Sequence, residues 1–113
     1  MTLEAVAECI RALLPKGYPS IARTAESLGI SSRTLQRRLQ AAGVTYRQLV
    51  DQVRIDIARR HIEESSTKFQ DIATLLGYSE PGSLSRLFVR KTGMAPRAVR
   101  RGRLRTAESG NRR

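Results

Sequence analysis

The chain has little of the chemistry from which reactive sites are commonly built. Its 113 residues include one cysteine, Cys9, one histidine, His61, and no tryptophan. A single cysteine excludes an intramolecular disulfide framework and a zinc ribbon or finger. A single histidine argues against a histidine metal site or a catalytic triad. With only three Tyr and two Phe, the chain offers no aromatic platform for stacking single-stranded bases, which argues against RNA binding. No apolar run reaches the roughly 18 residues of a transmembrane helix, and Glu4 and Glu8 stand where a secretory signal would be basic. The compartment expected is therefore a reducing, cytoplasmic one, with no membrane partner. The 10 acidic residues are scattered over solvent-facing positions, and no nucleophile has a base beside it. No enzyme, metal or cofactor is expected. Cys9 is expected to be a small core residue, and His61 a packing or surface residue.

Positive charge is present in excess. There are 21 Lys and Arg, for a formal charge of +11, and such a balance favours a polyanionic partner. Its distribution weakens that inference. Residues 1–89 hold 12 basic and 9 acidic groups, whereas residues 90–113 hold 9 and 1. Gly102, Ser109 and Gly110, with no apolar periodicity, mark residues 102–113 as a basic, disordered tail. Arg103, Arg105, Arg112 and Arg113 fit a solvated tail as well as a binding one, so the body of the chain has to carry the argument.

That body reads as helices, because apolar residues recur at helical spacing and alternation of the strand type is missing. One helix is expected over Leu3 to Leu14, ended by Pro15 and Gly17. A second runs from Ile21 to Leu28 behind Ser20, with Gly29 after it. A third spans Ser32 to Ala42, between Ser31 and Gly43. A long helix runs from Tyr46 to Glu64. Thr45 and Gln48 form a capping box at its start, and Leu49, Val53, Ile57 and His61 form its stripe. A second capping box, Thr67 with Gln70, is expected to open the next helix, closed by Gly77. Ser79 is expected to cap a helix from Glu80 to Lys91, with Pro81 in its first turn and Gly93 at its end. Pro96 starts a last short helix to about Arg101. The fold class is all-α with about seven helices. At this size a single compact core is the limit, burying about 60–68% of the unfolded surface.

The strongest feature is an internal repeat. Ala25, Leu28, Gly29 and Ser31 recur 48 residues later as Ala73, Leu76, Gly77 and Ser79. With one extra residue in the second copy, Leu35 to Leu39 match Leu84 to Phe88. Each copy is a helix, a glycine turn, a serine and a helix: the helix-turn-helix arrangement. One such match is common among helical hairpins, whereas two in tandem are far more specific.

On the second helix of the first copy, Arg33, Gln36, Arg37 and Gln40 fall at about 160°, 100°, 200° and 140° from Leu35, opposite the Leu35–Leu39 stripe. Arginine pairs with guanine O6/N7 and glutamine with adenine N6/N7, so this stripe suits major-groove reading. The competing reading is an ordinary solvated face. The equivalent stripe of the second copy is Gly82, Ser85, Arg86 and Val89, which is poorer in long polar groups. Reading is therefore expected to be asymmetric, with the first helix contacting more bases. Arg86 is open to base contact, phosphate contact or bracing of the fold. Phosphate contacts are expected from Arg47, Arg54, Arg90 and Lys91, with Ser31 and Ser79 near helix N-terminal N–H groups.

The tandem motif resembles the DNA-binding domain of AraC/XylS-type transcription regulators over about residues 5–101. The stretches that carry the resemblance are Gly29 to Leu39, Gly77 to Phe88 and Gly93 to Arg100, with Arg54 and Ala58 matching the linker helix. The resemblance implies one DNA-binding domain over 1–101, made of a first subdomain over 1–44, a linker helix over 45–66 and a second subdomain over 67–101. It implies two recognition helices in successive major grooves of double-stranded DNA. By position, the family's base-reading places fall on Arg33, Gln36 and Arg37, and on Pro81, Gly82, Ser85 and Arg86; Gln40, on the same polar stripe, and Ser32 join them as base-reading candidates. It also implies RNA polymerase as a partner and an effector domain lying outside this chain, so a fragment of a longer regulator is favoured over a stand-alone member.

Departures from the family pattern concentrate in the second half. Ala95 replaces the usual Ser or Thr cap, Val99 an aromatic and Val89 a lysine, while Pro81 and Gly82 remove side-chain readout at two positions. The alternatives are a helix-turn-helix protein-interaction module and a non-specific nucleic-acid-binding module. The stripe of Arg33 and Arg37 argues against the first.

Overall fold

The computed structural model describes residues 2–102. Among them, every regular element is helical. Helix α1 spans Leu3–Leu13 and runs into a short 3-10 turn over Leu14–Lys16; α2 is Ile21–Ser27, α3 Ser32–Ala41, α4 Tyr46–Glu64, α5 Phe69–Leu75 and α6 Pro81–Thr92. A last helix, α7, covers 96–102. Gly102 therefore still belongs to a helix, and the rest of the expected tail, 103–113, lies outside the described residues. The body measures 53 × 30 × 21 Å.

Local chemistry explains most boundaries. Thr2, Ser20, Ser31 and Thr45 each accept a hydrogen bond from the backbone N–H three residues on, and the Thr45 N–H in turn donates to the Gln48 side-chain oxygen. Two expected caps are corrected. Helix α5 begins behind Lys68, not in a Thr67–Gln70 box. Thr67 is engaged elsewhere: its hydroxyl accepts from Ser65 at 3.1 Å and its carbonyl from Arg100 at 2.9 Å. Helix α6 begins behind Glu80, and Ser79 is not its cap. The extra residue of the second repeat sits in the turn: helix follows Gly29 at Ser32 but follows Gly77 only at Pro81. The offset is 48 up to the glycine and 49 after it, so the place of Ser31 is taken by Glu80.

The two helical hairpins nonetheless turn alike. The Ile30 N–H donates to the Ala25 carbonyl at 3.0 Å, and the Tyr78 N–H to the Ala73 carbonyl at 3.0 Å. Gly29 and Gly77 sit at φ +73° and +82°, a region that costs an L-residue about 1–2 kcal/mol. In both copies the small alanine is buried, and Leu35 and Leu84 occupy equivalent places in the core.

Helix α4 buries Val50, Val53, Arg54, Ile55, Ala58 and Ile62. Of the expected stripe, only Val53 is buried, while Leu49, Ile57 and His61 are half-exposed. The reason is tertiary: α1, α5 and α6 all pack on this helix, so it is covered over more than one narrow face. Tyr46 fixes its start. The phenol donates to the Pro19 carbonyl at 2.6 Å, so the Thr24 hydroxyl, 2.7 Å away and fully buried, donates to the phenol. Arg100 fixes its end, donating to the Ile62, Ser65 and Thr67 carbonyls at 3.2, 3.2 and 2.9 Å, a cation on the negative end of the helix dipole. Cys9 is half-buried, with Sγ 3.8 Å from the Thr24 carbonyl oxygen.

Candidate nucleic-acid interface

Helix α3 presents the first candidate surface. Leu35 and Leu39 point inward, 0% and 2% exposed, which forces Arg33, Gln36, Arg37 and Gln40 outward; all four are exposed. Ser32, grouped with them, is half-buried at the first turn. Ser31 is committed to capping: its hydroxyl accepts from the Thr34 N–H at 3.1 Å and donates to the Thr34 hydroxyl at 2.9 Å. The surface ion pairs Arg11–Glu4 at 3.1 Å and Arg11–Glu8 at 2.7 Å use no arginine of α3 or α6. The charges on these two helices remain available to a polyanion.

The second surface is less uniform than its sequence suggests. Leu84, Leu87 and Phe88 form the inward stripe of α6. Pro81, Gly82, Arg86 and Val89 are exposed. Ser85 does not join Arg86: it is half-buried and turns to an apolar groove shared with Ile62, Phe69 and Pro96. The Arg86 guanidinium folds back along the helix, donating to the Ser83 hydroxyl at 3.3 Å and lying over Gly82, where an added Cβ would sit 3.3 Å from it. Gly82 thus gives Arg86 room to lie across the start of α6. The 44% exposure of Val89 leaves a branched aliphatic group on that face.

Between the two hairpins lies a cleft of about 600 Å³. Arg47 and Asp51 from the first turns of α4 form one wall, and Ser83, Arg86 and Arg90 from α6 the other. Tyr18, Arg54 and Tyr78 also line it. Two expected phosphate contacts, Arg47 and Arg90, are therefore brought together with Arg86, against one carboxylate. Burial is the main cause that raises the Tyr18 and Tyr78 phenols above their ordinary range; Asp51 pushes the same way and Arg54 opposes. Both stay neutral at pH 7. Lys91 is exposed in the last turn of α6 but does not line the cleft.

Arg54 is a correction. It was expected at phosphate, yet it is 6% exposed. Its Nε donates to the Leu76 carbonyl at 3.0 Å, and its guanidinium lies 3.9 Å from the Tyr78 ring centre and 5.1 Å from that of Tyr18. Its positive charge is held inside the fold by a carbonyl and two π faces. Ser79 is exposed but caps no helix, so its expected link to helix N–H groups is lost. Sequence reasoning missed Tyr18, Tyr78 and Asp51 because no local pattern brings residues 18, 51 and 78 together.

A profile described as a helix-turn-helix domain matches residues 24–102. The chain is 42% identical over 82 residues to the HTH-type transcriptional regulator VqsM of Pseudomonas aeruginosa, covering 73% of this chain and 25% of that protein. It thus spans about a quarter of the length of this relative. Its fold matches that of a DNA-binding transcriptional dual regulator from Escherichia coli K-12, with a TM-score of 0.83 at 21% identity over 91% of this chain and 92% of the other. It also matches the DNA-binding domain of AdpA, a global transcriptional factor solved in complex with a target DNA, with a TM-score of 0.74 at 26% identity over 88% and 90%. With the tandem hairpins, the profile and the similar regulator in agreement, the chain belongs to the AraC/XylS-type helix-turn-helix transcription regulators, as a DNA-binding domain.

Proposed function

We propose that this domain reads a two-part site on double-stranded DNA, with α3 in one major groove and α6 in the next on the same face. The observation that carries this reading is the pair of hairpins with matching turns, each presenting an exposed helix, on a body 53 Å long. That length accommodates two helices about 34 Å apart, one turn of B-DNA. Arg33, Gln36, Arg37 and Gln40 read bases, with Ser32 at the helix start. On α6, Arg86 is the long polar group of the exposed stripe, Pro81 and Gly82 contribute close approach rather than reach, and Ser85, turned to the side, is left at the edge of that surface. Arg47 and Arg90, on opposite walls of the cleft, hold the phosphates that run between the two grooves, with Lys91 and the α3 N-terminus that Ser31 caps as further anchors.

The organisation that follows is a first subdomain over 1–44, a linker over 45–66 and a second subdomain over 67–101. Because the chain spans a quarter of its relative, we assign it to a longer cytoplasmic regulator whose other part senses an effector. RNA polymerase is the partner through which it would act on transcription.

Selection from random duplex DNA at two salt concentrations tests the proposal. The expected result is a two-block site spanning about two helical turns, with the stronger block under α3. If about six phosphates are engaged, log K falls with log salt at a slope of roughly −5. Salt-sensitive retention with no enriched sequence would point instead to backbone-only binding. Weak retention that barely responds to salt would point to a protein-docking module.

A further inference from the structure

The two subdomains are tied twice. The first tie is covalent, through α4. The second closes where the turn of the second hairpin meets the 3-10 turn after α1. An added Cβ on Gly77 would stand 2.6 Å from the Leu14 carbonyl oxygen and 2.9 Å from the Gly17 carbonyl carbon, so the two backbones touch with only a hydrogen between them. Beside this contact, Arg54 donates to the Leu76 carbonyl at 3.0 Å. Its guanidinium is shared by Tyr78 of the second hairpin and Tyr18 of the first subdomain, 3.9 and 5.1 Å from the ring centres. Tyr18 is held in turn by an edge-on contact with Tyr46, ring centres 6.5 Å apart. A single helix sets the distance between two units but leaves them free to bend and twist about it. A second tie, offset from the helix, removes that freedom.

We propose that the joint of Tyr18, Arg54, Gly77 and Tyr78 is the positioning device that sets which separation of the two half-sites the protein accepts. This rests on the two-part reading above. Arg54 touches no base in this account. It acts through the orientation of α6 relative to α3, so its loss relaxes spacing while leaving the sequence of each block unchanged. Tyr18 acts on the same quantity from the other subdomain, and its 49% exposure allows it to be shortened without opening the core.

The experiment takes the two blocks selected by the wild-type domain and varies the spacer between them by single base pairs. Wild type, Arg54→Met and Tyr18→Ala compete for this library, and circular dichroism confirms helix content. The wild type is expected to favour one spacer over its neighbours by about tenfold, comparable to one mismatched base pair. Both variants are expected to bind neighbouring spacers nearly as well as the best one, with unchanged block sequences. If Arg54→Met does not fold, Tyr18→Ala decides alone. A folded variant that keeps the wild-type spacer preference overturns the inference and leaves the two-part reading standing. A wild type that yields no two-block site removes both.

Discussion

Arg37 and Arg47 carry the same charge but stand in different surroundings, and the proposed function gives them different tasks. Arg37 stands on the exposed face of α3 opposite Leu35, where a guanidinium can meet a base edge. Arg37→Ala is expected to cost about 1–3 kcal/mol on the best site and to relax one position. Arg47, on the wall of the cleft, is expected to behave as a phosphate contact: Arg47→Ala should weaken all sequences alike and reduce the salt slope by about 1. Titrations of both variants on matched and mismatched duplexes check the pair, and an identical pattern for the two would remove the distinction. Glycines separate in the same manner. Gly43 and Gly77 both have positive φ, but a Cβ on Gly43 meets nothing within 4 Å. Gly43→Ala should cost only the backbone term of about 1–2 kcal/mol. Gly77→Ala should cost clearly more, because the Leu14–Gly17 backbone must move as well. Equal urea midpoints would contradict the close contact between the two turns.

Capping at the scale of the helix shows what could and could not be read from the sequence. Ser20, Ser31 and Thr45 were legible because the bonds of each capping side chain stay within its own first turn. Thr67 fits the same local rule and fails it, since its carbonyl is held by Arg100, 33 residues away. Ser79 fails because the extra residue fell in the turn. The polar face of α3 was legible since its inward stripe is narrow, whereas the burial of α4 was not, because three neighbours decide it. The Tyr18–Arg54–Tyr78 stack was likewise illegible, because its members are far apart in the chain. Ala95 accepts from the Ala98 and Val99 N–H groups at 3.0 and 3.1 Å through its carbonyl, so it occupies the cap position of α7 without a capping side chain. Ala95→Ser should therefore stabilise the domain by about 1 kcal/mol, visible as a higher urea midpoint. At the start of α4, Tyr46→Phe strips the Pro19 carbonyl and the buried Thr24 hydroxyl of their partner. It should cost about 1–3 kcal/mol, and a neutral result would mean water replaces the phenol.

The described residues hold two hairpins with matching glycine turns, made unequal by one extra turn residue and by their side chains. The stripe opposite the core carries Arg33, Gln36, Arg37 and Gln40 in the first, whereas the exposed part of the equivalent stripe in the second is Gly82, Arg86 and Val89. The net charge of +11 supplies attraction to any duplex. On the proposed two-part reading, discrimination comes from the two exposed helices, and a fixed separation would make the pair more selective than either alone. Guanine N7 lies in the major groove, so interference by N7 methylation on the selected duplex tests the central claim most directly. Two clusters of interfering guanines, centred about 10 base pairs apart and stronger under α3, are the result this account predicts. A single cluster, or strong binding with no interfering guanine, would contradict it.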